Sequence, residues 1–222
     1  MADAVQLAVV SDPEEASVRA AAALAAAARA GGSISLAGSN TPRRSYELLA
    51  AEPGIDWSQV HIWFGDERCV PPDDSDSNYR MAEETLISRI DIPAANVHRI
   101  RGEDDPDAAA AAYADEIAGV SLDLALLGLG PDGHTASLFP DSPALDVRDR
   151  LAVPVVASKP PPRRITLTFP VFERASAVLV LAPGESKADA IAAVLRGPDP
   201  HYPASLLPAG RTTILTDTAG AP

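Results

Sequence analysis

Along this chain, apolar and polar positions switch repeatedly between two periods. Short apolar runs bounded by Gly, Pro, Asp or Ser read as strands. They fall at residues 6–10, 33–37, 60–64, 122–127, 151–156, 165–168, 177–181 and 212–215. Between them, helical spacing marks residues 13–30, 42–51, 78–89, 107–117 and 186–195. Residues 122–127 carry almost no polar side chain, as expected of a parallel strand covered on both faces. Alternation at this rate predicts an α/β fold, a mainly parallel sheet with helices on both sides. Ligands in such sheets gather beyond the carboxyl ends of the strands, so chemistry is sought in the loops that follow them.

The Ala-rich stretch 20–30 needs no reading beyond that of a good helix former, started by Ser11 or Asp12. Residues 73–76, after Pro71-Pro72, read as a solvated acidic loop. No internal repeat or Gly/Ser linker divides the chain, so residues 1–222 are expected to form a single domain. Of its 222 residues 46% are hydrophobic, enough for a full core. No apolar run approaches the roughly 18 residues that cross a bilayer. Asp3, Asp12, Glu14 and Glu15 do not suit a signal peptide. A lone cysteine, Cys69, leaves no internal disulfide and fits a reducing, cytoplasmic setting.

The formal net charge of −13 argues against a nucleic-acid partner, and it sharpens the search for a site. A small anion approaching so acidic a protein needs a local cluster of cations and backbone N–H groups. Four segments at strand ends are candidates. In Gly38-Ser39-Asn40-Thr41-Pro42-Arg43-Arg44, Thr41 is placed to N-cap a helix with Pro42 at its first position. Arg43 and Arg44 then oppose the helix dipole, a conflict relieved by an anion on the exposed N–H groups or by simple exposure to solvent. Asp66, Glu67 and Arg68 cluster just after Gly65, either as a structural ion pair or as part of a site.

The third segment, residues 126–140, matches G-x-G-x-x-G after a strand, but a dinucleotide site is rejected. Pro131 interrupts the loop, Pro140 stops any helix, and the later acidic residue is missing. Its glycines instead let a substrate approach the backbone and present Asp132 and His134, the latter suited to proton transfer near neutral pH. The fourth combines Arg163-Arg164 with Gly184-Glu185-Ser186-Lys187, which puts another cation, Lys187, at a helix start.

Together, residues 128–140, Gly65-Asp66-Glu67-Arg68, residues 160–168 and Gly184-Glu185-Ser186-Lys187 resemble the 6-phosphogluconolactonase family over nearly the whole chain. Residues 132–140 are the most specific part of the likeness. The resemblance implies a three-layer α/β/α sandwich, as in glucosamine-6-phosphate deaminase and ribose-5-phosphate isomerase. It also implies hydrolysis of 6-phospho-D-glucono-1,5-lactone to 6-phosphogluconate, with no metal or organic cofactor. The turn Gly38-Ser39-Asn40 departs from the Gly-Gly-Ser common there.

On that reading His134 is the expected general base, oriented by Asp66 or Asp132. Arg68 is expected to stabilise developing charge or to hold a substrate oxygen, aided by backbone N–H groups near Gly130–Gly133. The turn Gly38, Ser39, Asn40 and Thr41, with Arg164 and Lys187, is expected to hold the phosphate. The partner is a small phosphorylated sugar lactone, with no nucleic acid or membrane, and the chain is expected as a monomer or weak homo-oligomer. The related deaminases carry a glutamate five residues after the histidine, where this chain has Phe139. Related sugar-phosphate sensors carry DNA-binding segments, and neither terminus here has a basic helix-turn-helix.

Overall fold

The computed structural model describes residues 4–222. Six of its strands form a parallel sheet in the order β1 (Gln6–Val10), β9 (Thr212–Asp217), β8 (Val178–Leu181), β5 (Leu124–Gly128), β2 (Ser33–Leu36) and β3 (His61–Phe64). β5 lies inside this sheet, between β8 and β2, and Leu124 through Leu127 are all buried, as its apolar run requires. Helix α1 (Pro13–Arg29) packs across five of these strands. Its inward face is Ala16, Ala20, Ala21, Leu24, Ala25 and Ala28, and such small side chains let the helix lie close to the sheet. Asp12 caps it, its side chain accepting from the Glu15 N–H at 2.8 Å.

A second sheet was not anticipated. β4 (Asp66–Arg68), β7 (Arg163–Leu167) and β6 (Ala152–Val156) run antiparallel in that order, with helix α4 (Pro106–Glu116) packed on β6 and β7. β4 escaped the sequence reading because three consecutive polar residues carry no strand signal. Helix α5 (Phe169–Arg174) escaped because Phe169-Pro170-Val171-Phe172 is apolar without a helical period. The two sheets meet at Gly65. Its N–H donates to Leu36 of β2 at 3.1 Å, and its carbonyl accepts from Leu167 of β7 at 2.9 Å.

The remaining helices are α2 (Arg43–Ala50) and α3 (Asn78–Thr85), each shorter than its sequence pattern, and α6 (Ala188–Arg196), which starts two residues later and ends one later than its pattern. The last turns of 78–89 and the first of 186–195 tighten into 3-10 geometry at Ile87–Arg89 and Glu185–Lys187. Thr41 does not cap α2. The cap residue is Pro42, in helical geometry and with no side-chain cap bond. Among the described residues no helix is long and apolar enough to cross a membrane.

β3 is an outer strand, and the outward backbone groups of its last residue, Phe64, are closed off by one side chain. The buried Tyr113 hydroxyl of α4 accepts from the Phe64 N–H at 2.8 Å and donates to the Phe64 carbonyl at 3.0 Å. Tyr113→Phe leaves both groups buried without partners, and chemical denaturation should show a loss of about 1–3 kcal/mol. A change below a few tenths would mean that water replaces the hydroxyl.

Candidate active site

At the carboxyl ends of β2, β3, β5 and β8 the loops enclose a cleft of about 260 Å³. Gly38, Ser39 and Thr41 line it after β2, Asp66 and Arg68 after β3, and Gly130 and His134 after β5. Lys187 enters after β8, while Lys159 and Arg164 come from the smaller sheet. Two non-glycine residues on its wall, Ser39 (φ 69°) and Ala136 (φ 48°), adopt left-handed backbone geometry, a cost that tends to be tolerated at functional sites.

His134 and Asp132 form the central pair. The imidazole Nδ1 lies 2.5 Å from Asp132 Oδ1. A carboxylate there accepts a hydrogen bond from Nδ1–H, so the neutral ring carries its lone pair on Nε2. Burial pushes the His134 pKa below its ordinary value of 6.5, and Lys159 adds to this against the opposing pull of Asp132 and Asp66. Burial works to raise the Asp132 carboxyl, but hydrogen bonding and charge from His134, with Lys159, bring it below its ordinary value. The Phe139 ring tilts against the imidazole at 4.6 Å between centroids. Gly130 must be glycine, because a Cβ there would collide with the His134 ring.

Asp66 does not reach His134. Its carboxylate accepts from Ser137 Oγ at 2.6 Å and Asn78 Nδ2 at 3.1 Å, in the buried floor of the cleft. Nor does it pair with Arg68, whose guanidinium donates to Asn78 Oδ1 at 2.6 Å and the Asp76 carbonyl at 2.7 Å. Arg68 Nε is buried with no partner. Asn78 thus ties Asp66 to Arg68, and it packs so tightly on Gly38 that a Cβ there would overlap its carboxamide.

Four cations line the cleft, and they include the only two lysines in the chain. Among the described residues no carboxylate lies within 4.0 Å of Arg68, Arg164 or Lys187, and Lys159 faces Asp132 at 3.9 Å. Burial lowers the pKa of Lys187, as does the neighbouring charge of Lys159. Arg164 is buried, and its guanidinium holds the carbonyls of Pro161 and Lys159 while lying over the Phe139 ring. Arg43 and Arg44 behave differently. Arg43 pairs with Glu84 at 3.1 Å and Arg44 with Glu14 at 2.8 Å, so carboxylates relieve their conflict with the α2 dipole.

Two expectations change. Asn40 lines a neighbouring hollow with Arg43 and Arg80 rather than this cleft. The Gly130 and Gly133 N–H groups are spent within their own loop, on the carbonyls of His134 and Gly130 at 2.8 and 2.9 Å. They shape the loop and are not free to hold an oxyanion. Lys159, Asn78 and Ser137 were missed. Lys159 directly precedes the Pro160–Pro162 run, and its isolation as one of two lysines was the available signal. A larger groove of about 840 Å³ lies on the other side of Phe139 and Arg164 and is lined by Asp132, whereas His134 opens into the smaller cleft.

The arrangement offers a neutral imidazole backed by a carboxylate, beside cations that await an anion. The sequence profile of glucosamine-6-phosphate isomerases/6-phosphogluconolactonase matches residues 9–216. A 6-phosphogluconolactonase of Mycobacterium tuberculosis is 45% identical over 167 residues, 69% of this chain and 68% of that protein. The structure of a Trypanosoma cruzi 6-phosphogluconolactonase superposes with a TM-score of 0.85 at 28% identity, covering 99% of this chain and 96% of that one. A monomeric glucosamine-6-phosphate deaminase shares the fold at a TM-score of 0.86 and 23% identity, over 97% and 98% of the two chains. With the profile spanning nearly every element that builds the cleft, the chain belongs to the glucosamine-6-phosphate isomerase/6-phosphogluconolactonase family.

Proposed function

We propose that this protein hydrolyses 6-phospho-D-glucono-1,5-lactone to 6-phosphogluconate, the second step of the oxidative pentose phosphate pathway, with His134 as general base. The observation that carries the reading is His134, backed by Asp132, lining one cleft with Arg68, Lys159, Arg164 and Lys187. The names of the similar proteins support the same activity.

A lactone is an activated ester, so the work is to deprotonate water and to stabilise an oxyanion. His134 Nε2 takes a proton from water, whose oxygen bonds to the lactone carbonyl carbon. The resulting imidazolium stays hydrogen-bonded to Asp132, and the oxyanion finds Arg68 rather than the spent amides of the Gly130 loop. Collapse of the tetrahedral intermediate breaks the bond to the ring oxygen, which takes the proton back from His134. The acid product then loses its own proton to solvent. Lys187, Arg164 and the cleft-lining Gly38, Ser39 and Thr41 anchor the phosphate away from the reacting carbon, so binding energy there positions the lactone. The reading includes a cytoplasmic enzyme, monomeric or weakly associating, that needs neither metal nor organic cofactor. The lone Cys69 and the charge of −13 fit that setting.

Mixed separately with fresh phosphogluconolactone and with glucosamine 6-phosphate, the purified protein should form 6-phosphogluconate and release no ammonia. Ammonia release without lactone hydrolysis would reverse the assignment within the family. Phe139, packed on His134 where the deaminases carry a glutamate, favours the lactone.

His134→Ala should lower kcat by about 100- to 10,000-fold while leaving KM largely unchanged. The base works unprotonated, so wild-type kcat/KM falls as pH drops through the His134 pKa. Because that pKa is depressed, the midpoint of the acid limb should lie below 6.5. In Asp132→Asn the imidazole loses a partner that raises its pKa, so the limb should move lower still as kcat falls. A limb that moved upward would contradict the pairing.

For phosphate anchoring, the comparison is between phosphorylated and unphosphorylated gluconolactone. Lys187→Ala should raise KM for the phosphorylated substrate by about 10- to 100-fold and barely affect the other. Equal losses on both would place Lys187 elsewhere in the reaction.

A further inference from the structure

The two oxygens of Asp132 face different partners. Oδ1 meets His134 Nδ1 at 2.5 Å, and Oδ2 faces the Lys159 ammonium at 3.9 Å. Lys159 sits in a loop, residues 157–162, closed by the Ala157 N–H donating to the Pro162 carbonyl at 2.7 Å. Arg164 clasps this loop from below, with Nε donating to the Pro161 carbonyl at 3.1 Å and an Nη2 contact to the Lys159 carbonyl at 3.5 Å. The same guanidinium lies 5.6 Å over the Phe139 ring, which in turn rests on the imidazole. The contacts close a circuit around the base: His134, Asp132, Lys159, Arg164, Phe139 and back to His134.

We propose that Lys159 is a positioning residue for the base, holding the Asp132 carboxylate so that Oδ1 serves His134 and keeping the imidazole unprotonated between turnovers. A carboxylate bonded through one oxygen still has freedom to rotate. A cation facing the other oxygen at 3.9 Å biases its orientation through charge and offsets part of its charge. Asp132 alone would favour the imidazolium, and so would Asp66 from the cleft floor. Lys159 and burial oppose them. Lys187, at the start of α6, faces the same Lys159–Asp132 pair. The Lys159 side chain is 55% exposed, so solvent screens its charge and the effect is modest rather than large. No carboxylate other than Asp132 lies within 4.0 Å of it among the described residues.

The inference rests on reading His134 as the base, and its test separates the two. The imidazole titration of His134 is followed by NMR in the free protein, its signal among four histidines assigned by its absence in His134→Ala. In Lys159→Met the midpoint should rise by about half a pH unit. The acid limb of lactone hydrolysis should rise with it, and kcat at neutral pH should fall several-fold with a smaller change in KM. Lys159→Arg keeps the charge and should restore both midpoint and kcat. An unmoved titration in Lys159→Met, or a loss confined to KM as for a phosphate ligand, overturns the role. Because the titration needs no substrate, a shift in a protein whose wild type does not hydrolyse the lactone would overturn the base assignment instead.

Discussion

The buried carboxylate of Glu67 holds the cleft together without facing it. It accepts the N–H groups of Arg68, Asn78 and Tyr79 at 2.7–2.8 Å, and the Ser77 hydroxyl at 3.1 Å. Two of those amides are the first of α3, left without partners by helix geometry, and an acidic side chain there also suits the helix dipole. The interaction fastens the start of α3 against β4. That docking puts Asn78 where it can hold Asp66 and Arg68 at once and fill the space left by Gly38. Glu67 is separated from Asn78 by a Pro- and Asp-rich loop, so one carboxylate organises both ends of a segment with few apolar contacts of its own.

Charge in this protein is sorted by location. Arg43, Arg44, Arg80, Arg99 and Arg148 pair with carboxylates in exposed positions, where each pair contributes little to stability. In the cleft the cations go largely unpaired, at some cost in desolvation, and that cost is offset when an anion arrives. A net charge of −13 repels such an anion at long range, and a local cluster of unpaired cations is what can counter that repulsion. Keeping carboxylates other than Asp66 out of the cleft lining is as much a part of the site as putting cations in it.

The large sheet was legible because its strands announce themselves. Four buried apolar residues in a row at β5 leave little choice of environment, and the glycines that follow mark where the chain must turn. His134 and Asp132 were visible for the same reason, being polar residues in a glycine-rich loop at a strand's end. The choice of Asp132 over Asp66 at the imidazole was not visible. It depends on Asn78 and Ser137 holding Asp66, contacts that span 12 and 71 positions. Arg164 was legible as a cation of the Arg163-Arg164 pair, but Lys159 was obscured by topology. It lies in the loop before β7 of an antiparallel sheet whose first strand is three polar residues, so nothing local places it beside β5. Thr41 failed as a cap because Pro42 itself takes helical geometry.

The placement of both lysines in the cleft reaches beyond catalysis. Apart from the amino terminus, the chain presents amine-reactive reagents with no other primary amine. Coupling to a surface or a dye through lysine would therefore report on, or block, the cleft itself. Immobilisation that spares the site has to avoid both lysines and run through the amino terminus or the surface carboxylates.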